Sequence, residues 1–133
     1  MKILRFVFIG FALLPLTSLI GCGDGKVASV SGTVTLDNKP LNKAQITFRP
    51  VGKGRPSTGF TDENGYYYLQ YTTKQNGAEI GEHTVSITTG VEGDGGEIKD
   101  IPETVPAKYN SETTLKKEVT SGSNTIDFDL TSK

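Results

Sequence analysis

The chain has very little of what catalytic and metal-binding sites are made from. Its 133 residues include one cysteine, Cys22, and one histidine, His83. A single thiol closes no disulfide within the chain, so an apolar core alone must hold the fold. A single imidazole leaves His83 as the only base for a serine or cysteine triad. Without a second histidine or a spare thiol, only carboxylates remain for zinc, which argues against a zinc site. No basic run is present and the formal net charge is −1, a balance that argues against nucleic acid as a partner. Beyond the N-terminal segment no stretch holds a helical period, so helices are not expected.

What is present begins with Lys2 and Arg5, which open an apolar stretch from Phe6 to Leu16; Leu19-Ile20-Gly21 then precede Cys22. The stretch is too short, and too marked by Pro15, for a comfortable membrane span. A basic start, a short apolar run and small residues before a cut are the layout of a cleaved leader. Leu19-Ile20-Gly21-Cys22 also resembles the lipobox of bacterial lipoproteins. That resemblance implies a diacylglyceryl group on Cys22, cleavage between Gly21 and Cys22, and acylation of the new amino terminus. An ordinary secretory leader with an incidental cysteine, or an uncleaved anchor helix, are the alternatives. Each buried methylene contributes about 0.8 kcal/mol, and two acyl chains hold stably where one holds marginally.

On this reading residues 1–21 are a lipoprotein signal peptide. Residues 22–26 are the lipidated cysteine and a short tether, and 27–133 form one domain. The domain is expected in the bacterial cell envelope, membrane-anchored through Cys22 and facing the periplasm or the cell exterior. The leader takes with it two of the 14 basic residues, leaving 12 against 15 acidic ones.

Period-two alternation dominates the rest. Ala28, Val30, Val34 and Leu36 share a face, with Gly32 in the gap where a strand bulges or is closely approached. Asp37-Asn38-Lys39-Pro40 reads as a turn, followed by Ala44, Ile46 and Phe48 on one face of a second strand. Thr58 and Phe60 lead into Asp62-Glu63-Asn64-Gly65, a hairpin-turn signal. Tyr67, Leu69 and Tyr71 oppose Tyr66, Tyr68 and Gln70, and His83, Val85 and Ile87 alternate with polar residues. Residues 90–106 break the pattern as a glycine-rich acidic loop. Leu115 and Val119 mark a strand, Ser121–Asn124 a turn, and Ile126, Phe128 and Leu130 a last strand. About seven short strands in one domain predict an all-β sandwich.

The order of these motifs carries a second resemblance. Val30-Ser31-Gly32-Thr33-Val34, Lys39-Pro40-Leu41 and Ala44-Gln45-Ile46-Thr47-Phe48 resemble the opening of carboxypeptidase regulatory-like domains. Thr61-Asp62-Glu63-Asn64-Gly65-Tyr66-Tyr67 resembles that family's turn motif. Gly81-Glu82-His83-Thr84-Val85-Ser86-Ile87 resembles its next strand, in which the position of His83 is usually aromatic. Pro106-Ala107-Lys108-Tyr109-Asn110 and Asn124 to Leu130 resemble small lipoproteins built on this domain. The resemblance implies a seven-stranded transthyretin-like (prealbumin-like) Greek-key sandwich without catalysis or cofactor, serving as a binding or structural module.

Candidate sites are few. His83 falls on the inward face and reads as a core residue before it reads as a general base. The uric-acid pathway hydrolase that shares the transthyretin fold uses several histidines and a C-terminal Tyr-Arg-Gly-Ser-type ending, which Asp129-Leu130-Thr131-Ser132-Lys133 does not supply. Asp127 and Asp129 lie opposite Ile126 and Phe128, so a glycosidase pair is not expected there. Glu92, Asp94 and Glu97 alternate with glycines, a weak calcium candidate set against a plain solvated loop. Lys53 and Arg55 are set to meet an anionic glycan or headgroup, or simply water. Tyr66, Tyr68 and Tyr109 are the candidate binding surface for an envelope protein or polysaccharide, with cross-strand pairing as the structural alternative. A purely structural or assembly role, and less so a small hydrolase, stand beside the binding module as readings.

Overall fold

Ten residues with alternate side chains buried make the first strand, β1 (Val27–Leu36), the hub of the architecture. The computed structural model describes residues 26–133. The leader, the Gly21–Cys22 cleavage position and most of the tether lie outside the described residues. The elements after β1 are β2 (Lys39–Pro40), β3 (Gln45–Pro50), β4 (Ser57–Phe60), β5 (Tyr66–Tyr68), β6 (Gln70–Thr72), β7 (Gln75–Asn76), β8 (Ala78–Glu79) and β9 (Gly81–Thr88). A 3-10 turn at Ala107–Tyr109 precedes β10 (Lys116–Val119), β11 (Ser123–Thr125) and β12 (Phe128–Leu130). No helix among the described residues is long and apolar enough to cross a membrane.

Two six-stranded sheets result. In the first, β1 pairs antiparallel with β2, β5 and β8, and parallel with β11 and β12. Ser31 faces Tyr68 across one edge of β1 and Thr125 across the other. The second sheet runs β10-β9-β3-β4-β6-β7, antiparallel throughout. The chain passes from the first sheet to the second at Leu69, between β5 and β6, and at Ile80, between β8 and β9. Packed face to face as a sandwich, the sheets bury Val30, Val34, Tyr67 and Phe128 against Ile46, Phe48, Val85 and Ile87. Burial of such side chains contributes about 1.5–3 kcal/mol each, which is how a disulfide-free domain of this size holds together.

Asp37 and Asn38 form the two-residue link from β1 to β2 with φ of 51° and 66°, the geometry that matches the strand twist. Gly32 is where the last strand is interrupted. A Cβ there would sit 2.0 Å from the Ile126 carbonyl oxygen, which crosses over β1 and accepts a 2.6 Å hydrogen bond from the Tyr67 hydroxyl. At the same break Asp127 turns its carboxylate back onto the Thr33 amide at 2.8 Å, supplying the acceptor that the interrupted ladder lacks.

Two expectations need correcting, at residues 123–124 and 91–101, and β4 adds a finding of its own. Ser123 and Asn124 belong to β11, not to a turn, because they pair in parallel with Ser29 and Val30. In β4 the inward residues are Ser57 and Gly59, so Phe60 points to solvent. Residues 91–101 are an arm folded back on itself: Val91 and Ile101 exchange two backbone hydrogen bonds of 2.9 Å.

Candidate functional site

The end of the sandwich where β1 finishes gathers four segments around an apolar groove of about 490 Å³. They are the approach to β3 (Leu41–Lys43), the end of β4 (Phe60 and Thr61), the exit of β9 (Thr89 and Val91) and the returning arm (Ile101, Pro102 and Thr104). Phe60 is 65% exposed, Ile101 51% and Val91 44%, all large apolar side chains left in water on one wall system. Period-two geometry explains Phe60. Gly59 is pressed against the Tyr68 carbonyl, where a Cβ would come within 2.3 Å. The close approach fixes Gly59 inward and its neighbour outward.

Local chemistry holds each wall in place. The buried Thr61 hydroxyl accepts the Ala44 N–H at 2.8 Å. The Thr61 and Lys43 amides donate to the Ala44 and Thr61 carbonyls at 2.9 and 3.1 Å. Next to it, one Asp62 carboxylate oxygen accepts the Asn64 and Tyr66 amides at 2.9 and 3.0 Å, and Gly65 closes the turn at a φ of 75°. The Thr-Asp-Glu-Asn-Gly motif is therefore a corner in which the Thr61 hydroxyl and one Asp62 carboxylate oxygen are committed to the backbone.

Glu103 clamps the arm. Its carboxylate accepts from the Thr88 hydroxyl, from the Thr89 amide and hydroxyl at 2.8 Å each, and from the Gly90 and Val105 amides at 3.0 Å each. Partial burial works to raise its pKa, but the hydrogen bonds from Thr88, Thr89, Val105 and Gly90 prevail and bring it down to about 2. The Thr61, Thr88 and Thr89 hydroxyls are thus taken up by the backbone and by Glu103, and the groove offers a ligand mainly apolar surface, with Asn42 and Lys43 as polar lining.

The predicted residues fall as follows. Tyr66 and Tyr68 are exposed, at 44% and 48%, and Tyr68 shares with Phe60 a shallow depression of about 90 Å³. Tyr68 therefore adjoins the groove through Phe60. Tyr109 does not join them. It is half-buried against the core, and its hydroxyl accepts the Thr131 amide at 3.1 Å, tying the 3-10 turn to the C-terminal segment. Tyr109 thus packs as a staple between these segments and stands apart from Tyr66 and Tyr68.

Asp94, the central member of the calcium candidate, accepts the Gly96 and Ile98 amides at 2.8 and 3.1 Å and so shapes the tip of the arm. Glu92, Asp94 and Glu97 do not converge: no group of three or more potential metal-ligating side chains occurs among the described residues. Asp127 and Asp129 accept hydrogen bonds from Thr33 and Thr35 of β1. His83 is 1% exposed and its ring lies 5.7 Å from the Phe48 ring, tilted by 51°. Its Nδ1 lies 3.0 Å from the Gly81 carbonyl and its Nε2 has no partner. Burial above all lowers its pKa, against the opposing Gly81 bond and Glu79 charge. Lys53 and Arg55 are exposed at the other end of the sandwich, and Cys22 lies outside the described residues.

Sequence reasoning missed Leu41, Phe60, Val91, Ile101 and Pro102. The signal was available in part, because an aromatic one position from a glycine pressed against a neighbouring strand must face the other way.

No family model matches the chain, and no curated protein matches it. Two solved structures are loosely similar in shape. A 9R-lipoxygenase from Cyanothece is 16% identical with a TM-score of 0.46, the match covering 79% of this chain and 16% of that one. A DUF3823 family protein from Parabacteroides merdae is 16% identical with a TM-score of 0.42, covering 80% of this chain and 46% of that one. The chain thus spans less than half the length of either structure, and likenesses this loose carry no argument about function.

Proposed function

We propose that this protein is a non-catalytic envelope lipoprotein, anchored by acylated Cys22 after removal of residues 1–21, whose β-sandwich binds another envelope protein through the groove. The observation that carries the binding reading is the cluster of Phe60, Val91 and Ile101, each at least 44% exposed, around one concavity extended by Tyr68. Scattered apolar residues on a surface are ordinary, but a contiguous patch at a cleft marks an interaction site. Walls in which aliphatic and aromatic side chains outnumber the polar Asn42 and Lys43 fit apolar protein side chains better than a polysaccharide, which needs several convergent polar groups.

The finer architecture supports the transthyretin-like reading. Taking 66–72, 78–88 and 123–130 each as one strand that changes partner, and setting aside the two-residue pieces β2 and β7, leaves seven runs. The envelope location, in the periplasm or at the cell exterior, is carried by the basic-apolar leader and the Leu19-Ile20-Gly21-Cys22 motif.

Site-specific photo-crosslinking in cells that express the full-length protein tests the function. A photoreactive residue at Phe60 should give a discrete protein adduct, and one at Glu118, on edge strand β10, should not. The adduct should disappear in Ile101→Asp. A blank at Phe60 would leave the purely structural reading standing. Cys22→Ser should leave unprocessed, unlipidated precursor; normal processing would sink the anchor.

A further inference from the structure

We propose that the opposite end of the sandwich, where β1 begins, is a docking face for an anionic membrane surface, built from Lys26, Val51, Lys53, Arg55 and Ile80. The inference rests on the lipid-anchor reading and adds an orientation to it. Cys22 is four residues from Lys26, a reach of at most about 14 Å. An acylated Cys22 therefore holds the start of β1 within a short step of the headgroups, and whatever surrounds Lys26 faces the bilayer.

What surrounds it is apolar and basic. The Ile80 amide donates to the Lys26 carbonyl at 2.9 Å, and Val27 pairs with Glu79. The 51–56 loop is fastened to the same place: the Val51 amide donates to the Glu82 carbonyl at 2.9 Å, and the Arg55 amide to the Glu79 carboxylate at 3.3 Å. Val51 and Ile80 are exposed at 52% and 41%, Ile80 beside the chain's entry point and Val51 on the Glu82 backbone two residues further along. Lys53 and Arg55 have no ion-pair partner among the described residues. Of the acids nearby, Glu82 lies 3.9 Å from Lys116, and Glu79, which also accepts the Tyr71 hydroxyl at 2.7 Å, is a single anion against the cations Lys26, Lys53 and Arg55. Two apolar side chains within a small group of cations is the surface that penetrates and neutralises an anionic headgroup layer. β1 spans about 30 Å at about 3.3 Å per residue, so this orientation keeps the groove clear of the lipid and turned toward its partner.

The acylated cysteine leaves no other thiol, so Val51→Cys and Val91→Cys each carry a single environment-sensitive fluorophore on the full-length lipoprotein purified from bacterial membranes. Each is placed in vesicles of neutral phosphatidylcholine alone or with anionic phosphatidylglycerol. On anionic vesicles the Val51 probe should shift to the blue and escape an aqueous quencher, while the Val91 probe stays quenchable. At about fivefold in contact population for each basic side chain near an anionic surface, Lys53→Gln/Arg55→Gln should return the Val51 probe to water, as should high salt. A Val51 probe that stays aqueous on an acylated protein overturns this proposal and leaves the anchor intact. Protection in detergent that rises with protein concentration overturns it in favour of a second copy of the chain. Unmodified Cys22 by mass overturns the anchor and the docking face together.

Discussion

His83→Phe should make the protein more stable and remove part of its pH dependence. The imidazole occupies an aromatic cluster: Phe48 lies 5.7 Å away, with Phe128 6.2 Å beyond Phe48. Its unpartnered Nε2 is a buried polar atom without a hydrogen bond, which costs about 1–3 kcal/mol. Phenylalanine removes that atom and also loses the Nδ1–Gly81 hydrogen bond, worth about 0.5–1.5 kcal/mol. Gly81 is half-buried, so water can take up its carbonyl. The slightly larger ring subtracts a little more through packing, and the net gain is about 1 kcal/mol at neutral pH.

The pH dependence has a definite sign. Burial holds the folded-state pKa of His83 below its ordinary 6.5. Below 6.5 the unfolded chain takes up a proton that the folded chain refuses, so the stability present above 6.5 is lost as pH falls. The slope cannot exceed about 1.4 kcal/mol per pH unit. Urea unfolding of the wild type and His83→Phe, from about pH 8 to pH 5, separates the two terms, since a one-proton slope belongs to linkage. The variant should unfold at higher urea throughout, with the gap widening below 6.5. Parallel curves, or a variant weaker by more than about 1 kcal/mol, would refute the assignment of a neutral, under-satisfied histidine.

Glu103 governs a separate, more acid window. Its folded pKa of about 2 lies below the ordinary 4.5, so its stabilisation is complete above 4.5 and fades as pH falls toward 2. Glu103→Gln should flatten that acid limb and cost about 1 kcal/mol at neutral pH after discounting for exposure; hydrogen exchange of the Gly90 and Val105 amides reports the loosened arm. Gly32→Ala places a methyl 2.0 Å from a backbone oxygen and should cost more than about 3 kcal/mol by overpacking, whereas Tyr67→Phe, which loses only the Ile126 bond, should cost about 1 kcal/mol.

Much of the fold is legible in the sequence because strand parity is local. Ala28, Val30 and Val34, or His83, Val85 and Ile87, need only alternate to declare their inward face. The crowding at Gly32 was readable for the same reason: a glycine inside an apolar run marks a close approach, although nothing local names Ile126 as the neighbour. What failed was whatever a distant segment decides. Ser121-Gly122-Ser123-Asn124 has turn composition throughout, yet two of its residues pair with β1 from 94 positions away. The acidic residues of 90–106 look like solvated charge, but Glu103 gathers five hydrogen bonds from Thr88, Thr89, Gly90 and Val105.

Phe60 shows why the groove itself was hidden. Hydrophobicity assigns a phenylalanine in a strand to the core, and Ser57 and Gly59 to the surface. The structure reverses both, because the backbone of Tyr68 lies so close that only a glycine fits inward at position 59. Once Gly59 is fixed, parity leaves Phe60 no route to the core, and the arm that rises beside it brings Val91 and Ile101 rather than a covering strand. An apolar side chain forced outward at a sheet end, where Glu103 holds the neighbouring wall in place, gives a concavity without help from a ligand. Selection for fold stability alone would favour a polar residue at position 60, since a phenylalanine 65% exposed gains little there. Phe60→Ser should therefore leave the unfolding midpoint nearly unchanged while abolishing the partner adduct formed from a probe at Val91. A large loss of stability would instead return Phe60 to the fold and remove the reason for the groove.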